Sequence, residues 1–400
     1  MLKAVAFLRR LVVWREEGGS EMADESAHGL VQDRFAGARA AFEDNLNSGA
    51  DVGASFCATS EGETVVDIWG GYADETGKTP WSRDTIVNVY STTKTMTALT
   101  ALLVADRGDL DFNAPVAKYW PEFAANGKGA VTVAHLMSHS AGLSGWKEPI
   151  TKADLYDWEK VTALLAAQAP YWPPGSAPGY HALTQGYLVG EVVRRITGKT
   201  LGTVFREEIA GPLGADFWIG LPESEDARVA RLIPPPAGTG VEARNQTELQ
   251  ANMSSNPGID VRETYKRAWR GAEIPAAGGT GNARSVAEIH TILANGGVAK
   301  GKRFMSEAGC RKALELQVAG EDLILGAPAR YGLGFGLAGG VVPLPNPNSM
   351  YWGGYGGSII IIDMDARTTF SYVMNKMQGT TVGDVRGFSM VAAMWRALAT

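Results

Sequence analysis

Ser91-Thr92-Thr93-Lys94 opens a segment whose apolar residues recur with helical spacing: Met96, Leu99, Leu102 and Leu103 share one stripe of a 3.6-residue helix, and Gly108 marks its stop. The spacing predicts Ser91 in the first turn, with Lys94 three residues on and on the same face. A serine so placed lies near unsatisfied backbone N–H groups and the positive end of the helix dipole, which favour negative charge developing on a bound substrate. Lys94 is then close enough to serve as its base, provided its own proton is made easy to lose. An isolated tetrad of this kind equally suits an ordinary N-cap serine. A second copy, Ser144-Gly145-Trp146-Lys147, lies in a Gly-rich loop ahead of Pro149 and opens no helix. The meaning of the first copy therefore depends on what lies downstream.

The 400 residues are 45% hydrophobic and 20% charged, material for a sizeable core. A net charge of −6, with lysine and arginine dispersed, provides no basic field for nucleic acid or an anionic membrane face. Cys57 and Cys310 are too far apart in sequence to suggest a metal cluster and too few to staple a scaffold. Two buried thiols fit a reducing compartment, and a cytoplasmic location is expected. Near the start, Lys3, Arg9 and Arg10 interrupt short apolar runs, so neither a secretory signal nor a bilayer-spanning stretch is recognisable. Residues 1–27 are read as an extension, its first twenty or so residues dispensable for folding.

Phe35, Ala38, Phe42 and Leu46 form a helical stripe ending at Gly49, and the β-rich runs Val52–Ala58 and Thr64–Trp69 flank a hairpin turn at Glu61-Gly62. A second hairpin is expected from Ser358–Asp363 and Thr368–Asn375, and a helix from Val385 to Leu398. In the middle, Leu155, Trp158, Val161 and Leu165 make one helical stripe, and Leu183, Tyr187, Leu188, Val192 and Ile196 another that stops at Gly198. Ser285-Val286-Ala287-Glu288 has the form of a capping box. Residues 221–279 show little periodicity. The economical architecture is α+β, with a sheet domain built from residues 28–108 and 270–400 and a mostly helical domain with long loops at 109–269.

Seven further stretches, in order, carry a family resemblance: Leu110-Asp111-Phe112-Asn113-Ala114-Pro115-Val116, His135-Leu136-Met137-Ser138-His139-Ser140-Ala141-Gly142-Leu143, Pro174-Gly175, Tyr180, Gly278-Gly279-Thr280, Tyr331-Gly332-Leu333-Gly334 and Trp352-Gly353-Gly354. With Tyr90 to Thr95 they resemble the serine β-lactamase-like hydrolases, which include class C β-lactamases, D-alanyl-D-alanine carboxypeptidases and family VIII carboxylesterases. The resemblance runs from about Phe35 to the C-terminus and implies the β-lactamase-like fold, an antiparallel sheet flanked by helices. It implies Ser91 as nucleophile, Lys94 and Tyr180 as the base pair, and an oxyanion hole at the backbone N–H groups of Ser91 and Tyr355. For His135 and His139 it implies a structural role beside the site.

Two departures from the family pattern bear on substrate. The second motif usually reads Tyr-x-Asn but here is Tyr180-His181-Ala182. The third is normally Lys-Thr-Gly or His-Thr-Gly but here is Trp352-Gly353-Gly354. Without the amide and the cation, the pocket has fewer handles for a carboxylate and gains an indole that suits acyl or alcohol groups. The expected function is a serine carboxylesterase acting on small to medium esters, with Trp352, Gly353, Gly354, His181 and Trp269 at the substrate and Tyr265 in the pocket wall. The alternatives are a β-lactamase or D-amino-acid amide hydrolase, an acyltransferase, or a ligand-binding protein on an inactivated scaffold. Lys94 and Tyr180 can share one mobile proton, and the sequence leaves it unassigned. No metal or cofactor is expected. His135 and His139 lack the glutamate of a His-Glu-x-x-His site, and no Gly-x-Ser-x-Gly elbow or nucleotide-binding loop occurs.

Overall fold

A computed structural model describes residues 27–239 and 246–399; the first 26 residues of the expected extension lie outside them. Ala27 already belongs to the fold: it is buried, its N–H donates to Glu43, and its carbonyl accepts from Arg39 at 2.6 Å. It leads into an edge strand with no counterpart in the sequence reading, β1 (His28–Val31). The expected first hairpin forms as β2 (Gly53–Ser60) and β3 (Glu63–Gly71), with Glu61 and Gly62 at φ 50° and 93° in the turn.

Strands from the other end complete the sheet: β9 (Val318–Glu321), β10 (Pro328–Tyr331), β11 (Gly336–Leu337), β12 (Ser349–Gly353), β13 (Ile359–Asp363) and β14 (Thr368–Met374). The order is β1-β3-β2-β14-β13-β12-β11-β10-β9, antiparallel throughout. Between the two groups lie β4 (Val87–Asn88), β5 (Phe217–Trp218) and β6 (Thr280–Gly281), which form a small sheet, and the β7 (Val298–Ala299)–β8 (Lys302–Arg303) pair.

β13 and β14 are buried along their whole length because helices cover both faces. On one side are α1 (Ala36–Asn47) and α6 (Val385–Leu398), on the other α5 (Ala283–Ala294). Neighbouring residues of β14 report the two faces: Thr369 donates to the Ala287 carbonyl of α5, while the Phe370 ring meets Trp395 of α6 edge-on. The α5 start corrects the expectation. Asn282 is the cap, accepting from the Ser285 N–H at 2.9 Å, so Ser285 is the third residue of the box rather than its first. Glu288 instead pairs with Lys300 at 2.8 Å.

The helix that follows Ser91 is α2 (Thr93–Asp106), and it too differs from a one-sided stripe: every residue from Thr93 to Val104 is buried. Threonines occupy the remaining faces and bond back to carbonyls, Thr95 to Thr92, Thr100 to Met96 and Thr97 to Pro275, so their hydroxyls cost little to bury. α2 packs against α4 (Thr184–Thr197), which ends at Gly198 with φ 70°. Ahead of α4 runs α3 (Trp158–Ala167), capped by Asp157, with Leu155 in the preceding turn. The described residues of 221–279 carry short helical segments, the longest of them Glu248–Ser255, held in part by Asp226 between Arg267 and Arg270. Among the described residues no helix is long and apolar enough to cross a membrane.

Candidate active site

Ser91 sits in a 3₁₀ turn, Tyr90–Thr92, directly ahead of α2. The turn is sharp because Tyr90 takes φ 44°, a left-handed conformation that costs a non-glycine residue about 1–3 kcal/mol. Its surroundings hold it there. Asn88 accepts the Tyr90 N–H at 3.2 Å, the Thr93 hydroxyl donates to the Tyr90 carbonyl at 2.5 Å, and the ring packs against Tyr355 and Trp269 with centroids 5.7 and 6.4 Å away. The result is a half-buried Ser91 above a wholly buried Lys94.

Lys94 Nζ lies 3.0 Å from Ser91 Oγ, 2.7 Å from the Ala182 carbonyl and 2.9 Å from the Ala276 carbonyl. All three partners are uncharged oxygens. Burial without a carboxylate partner pushes the ammonium well below the usual lysine range.

Tyr180 approaches Ser91 from the other side, its hydroxyl 2.5 Å from Oγ, while Lys94 Nζ lies 4.9 Å from its ring centroid. Burial raises the phenol; the Ser91 hydrogen bond opposes this, and the charge of Asp322 adds to it. The next residue, His181, is a strut and not a substrate contact. It is wholly buried, Nδ1 bonds the Gly179 carbonyl at 2.5 Å, and Nε2 accepts the Leu143 N–H at 3.0 Å, so both ring nitrogens are occupied. Burial lowers His181 to about 4, leaving it neutral.

His139, also wholly buried and at φ 59°, accepts the His181 N–H on Nδ1 at 3.1 Å. Its ring stacks on Trp352 at 5.2 Å and 15°, and lies 5.2 Å from Tyr180 and 5.3 Å from Tyr331. Trp352, next to last in β12, thus lies inside an aromatic cluster beside the Tyr180 ring, 6.1 Å between centroids.

The two glycines after Trp352 are imposed by close packing. A Cβ on Gly353 would fall 2.6 Å from Val382 Cα, and one on Gly354 would fall 2.1 Å from the Val89 carbonyl. That approach brings half-buried Tyr355 onto the segment beside Ser91. The turn continues through Gly356 and Gly357 at φ 103° and 127°. It is braced by Arg386, which donates to the Gly356 carbonyl at 3.0 Å and pairs with Asp51 at 2.9 Å and Asp384 at 2.7 Å.

Ser91, Lys94, Tyr180, Trp352, Gly353, Gly354 and Tyr355 therefore converge. Trp269 does not reach open space: it is wholly buried behind Tyr90, because the aromatic packing that holds the turn consumes its surface. Tyr265 lines a cavity of about 240 Å³ together with Asn88, Thr264 and Thr280, behind the nucleophile turn. Asp322 and Arg386 carried no motif in the sequence; the nearest signal to Asp322 is Tyr331-Gly332-Leu333-Gly334, whose tyrosine bonds it at 2.9 Å. Among the described residues no group of three or more His, Cys, Asp or Glu is placed to hold a metal ion.

A family model described as beta-lactamase matches residues 38–393. The chain belongs to the beta-lactamase family. It is 36% identical over 369 residues to the esterase/beta-lactamase LipL of Mycobacterium tuberculosis (strain ATCC 25618 / H37Rv), covering 89% of this chain and 84% of that protein. Among solved structures, a family VIII carboxylesterase matches with a TM-score of 0.88 at 43% identity, over 93% of this chain and 99% of the other. A penicillin-binding protein homologue from Caulobacter crescentus matches with a TM-score of 0.86 at 38% identity, again over 93% and 99%. The fold is accordingly the β-lactamase-like α+β fold, an antiparallel sheet flanked by helices, as the resemblance implied.

Proposed function

We propose that this member of the family is a serine carboxylesterase that hydrolyses small to medium carboxylic esters through an acyl-enzyme on Ser91. The observation that carries the reading is the placement of Ser91 Oγ between a buried lysine amine at 3.0 Å and a tyrosine hydroxyl at 2.5 Å. Esterase relatives that cover most of the chain support it, as does an indole where the third motif otherwise places a cation.

The geometry favours Lys94 as the base. A neutral amine has two N–H bonds and one lone pair; the carbonyls of Ala182 and Ala276 take the two donors, and the lone pair is left for the Ser91 proton. Tyr180, a phenol kept protonated by burial, donates to the same Oγ. On attack, the Ser91 proton passes to Lys94 as the bond from Oγ to the ester carbon forms. The backbone N–H groups of Ser91 and Tyr355 receive the oxyanion. Collapse breaks the bond to the alcohol oxygen. That oxygen takes the Tyr180 proton, and Lys94 restores it. Water then repeats the sequence on the acyl-enzyme, giving up one proton to Lys94, releasing the acid and returning Ser91 as the alcohol. The buried free thiols Cys57 and Cys310 support a reducing, cytoplasmic setting.

The test is hydrolysis of p-nitrophenyl butyrate by wild type and Ser91→Ala, with a chromogenic cephalosporin in parallel. Ester turnover that disappears in the variant, with little cephalosporin cleavage, is the expected result. Dominant cephalosporin cleavage would favour lactam hydrolysis, in keeping with the double name of LipL. Absence of Ser91-dependent turnover of either would favour a binding protein.

A further inference from the structure

Asp322 lies in the turn between β9 and β10, 1% exposed. Its Oδ1 accepts three backbone N–H groups, from Tyr180 at 3.0 Å and from Ile324 and Leu325 at 2.9 Å each; Oδ2 accepts the Tyr331 hydroxyl at 2.9 Å. Four donors surround a group that, as a carboxylate, is acceptor-only. Among the described residues it has no cationic partner, which makes it an expensive way to satisfy a turn. An asparagine oxygen can accept from the same three N–H groups, so what the carboxylate adds is its charge, in those bonds and beyond them.

That charge faces Tyr180. The tyrosine hangs from Asp322 by its main chain at one end and touches Ser91 by its hydroxyl at the other. The other titratable groups around the ring are Lys94, His139, His181 and Tyr331. Burial lowers both histidines and Lys94 and raises Tyr331, which disfavours the charged form of each, and Asp322 is the one carboxylate among these described neighbours. A negative charge opposes the formation of a second one nearby.

We infer that Asp322 is a positioning residue for proton transfer at Ser91: it anchors the Tyr180 main chain and reinforces the burial that keeps the hydroxyl a proton donor, leaving Lys94 to accept the serine proton. The inference rests on the esterase reading for its chemistry but not for its measurement. Tyr331, whose ring lies 5.6 Å from Trp352, extends the same anchor to the aromatic cluster.

Asp322→Asn removes the charge and keeps the shape, since the amide oxygen retains the three N–H contacts and the Tyr331 hydroxyl can accept from the amide. Two readouts are taken. One is the pH profile of kcat/KM on p-nitrophenyl butyrate. The other is the phenolate absorbance of Tyr180, obtained as the difference between each protein and its Tyr180→Phe counterpart. In Asp322→Asn the alkaline limb and the Tyr180 titration should both move to lower pH, by about one to two units for a charge acting across a ring at protein dielectric. Tyr331→Phe, which loses a bond to Asp322 but keeps the charge, should leave both in place. An unmoved Tyr180 titration in a folded Asp322→Asn protein overturns the inference. So does a Tyr180 phenolate at neutral pH in wild type, a measurement that stands even if the variant fails to fold. Absence of ester turnover in wild type would instead count against the esterase reading, and the titration still reports on Asp322.

Discussion

Ser358 Oγ donates to the Val89 carbonyl at 3.1 Å and lies 3.0 Å from Thr92 Oγ1, so the turn bearing Tyr355 is bonded directly to the turn bearing Ser91. Both halves of the expected oxyanion hole are thereby fixed to each other. Ser358→Ala leaves the buried Thr92 hydroxyl short of a partner and the Val89 carbonyl with the Thr92 N–H alone, at a cost of about 1–3 kcal/mol. Thermal denaturation should register that loss. Steady-state kinetics should show kcat falling more than KM rises, because the two N–H groups matter most once the oxyanion forms.

Gly354→Ala is the more severe test of the same junction. The new methyl would sit 2.1 Å from the Val89 carbonyl and 2.3 Å from Ser358 Oγ, and backbone has to move to admit it. Misplacing reacting groups by even 1 Å costs about a hundredfold. The expected outcome is a loss of at least that size in the rate of labelling by a fluorophosphonate, with a lower melting temperature.

Lys94 sets the acid side of the pH profile. A base must be unprotonated, so kcat/KM should rise with pH through the lowered Lys94 value and be flat where an ordinary lysine is still protonated. Arginine does not deprotonate, and Lys94→Arg should reduce acylation by about 10³-fold or more. Stability also falls as pH is lowered through this interval. As pH falls below the ordinary lysine range the unfolded chain takes up a proton that the folded chain refuses, so this residue costs stability until pH reaches its lowered folded value, below which the cost is constant. Lys94→Met should lose that slope, as read by denaturant unfolding across pH.

Trp269→Ala should act on stability before specificity. The indole is wholly buried, and truncating a residue of that size costs about 3–5 kcal/mol. A urea melt should show the loss, while the acyl-chain preference of the folded enzyme stays unchanged. A shifted preference in a protein of normal stability would return Trp269 to the pocket.

Both central hairpins are legible in the sequence because β-branched runs bounded by turn residues have few competing readings. β1 is not. His28-Gly29-Leu30-Val31 is a mostly exposed edge with no alternation, and it is a strand only because Val66–Trp69 pair with it. The α5 cap is easily misplaced because Ser285-x-x-Glu288 fits the box pattern better than Asn282-x-x-Ser285, the pair that forms it. Ser91, Lys94 and Tyr180 were nameable because their residue types define the chemistry. His181 and Trp269 show the limit of that logic: type says what a side chain can do, whereas burial is decided by segments far away. Asp322 meets Tyr180 across 142 residues, a distance no local pattern bridges.

The burial of α2 on every side makes the segment that bears the reactive amine also the hub of the folded body. Its amides from Thr97 to Val104 should exchange with solvent only when the whole molecule opens, and denaturant should abolish turnover and global structure at one midpoint. Chemistry and cooperativity share one helix here, so an opening that frees the base should also cost the fold.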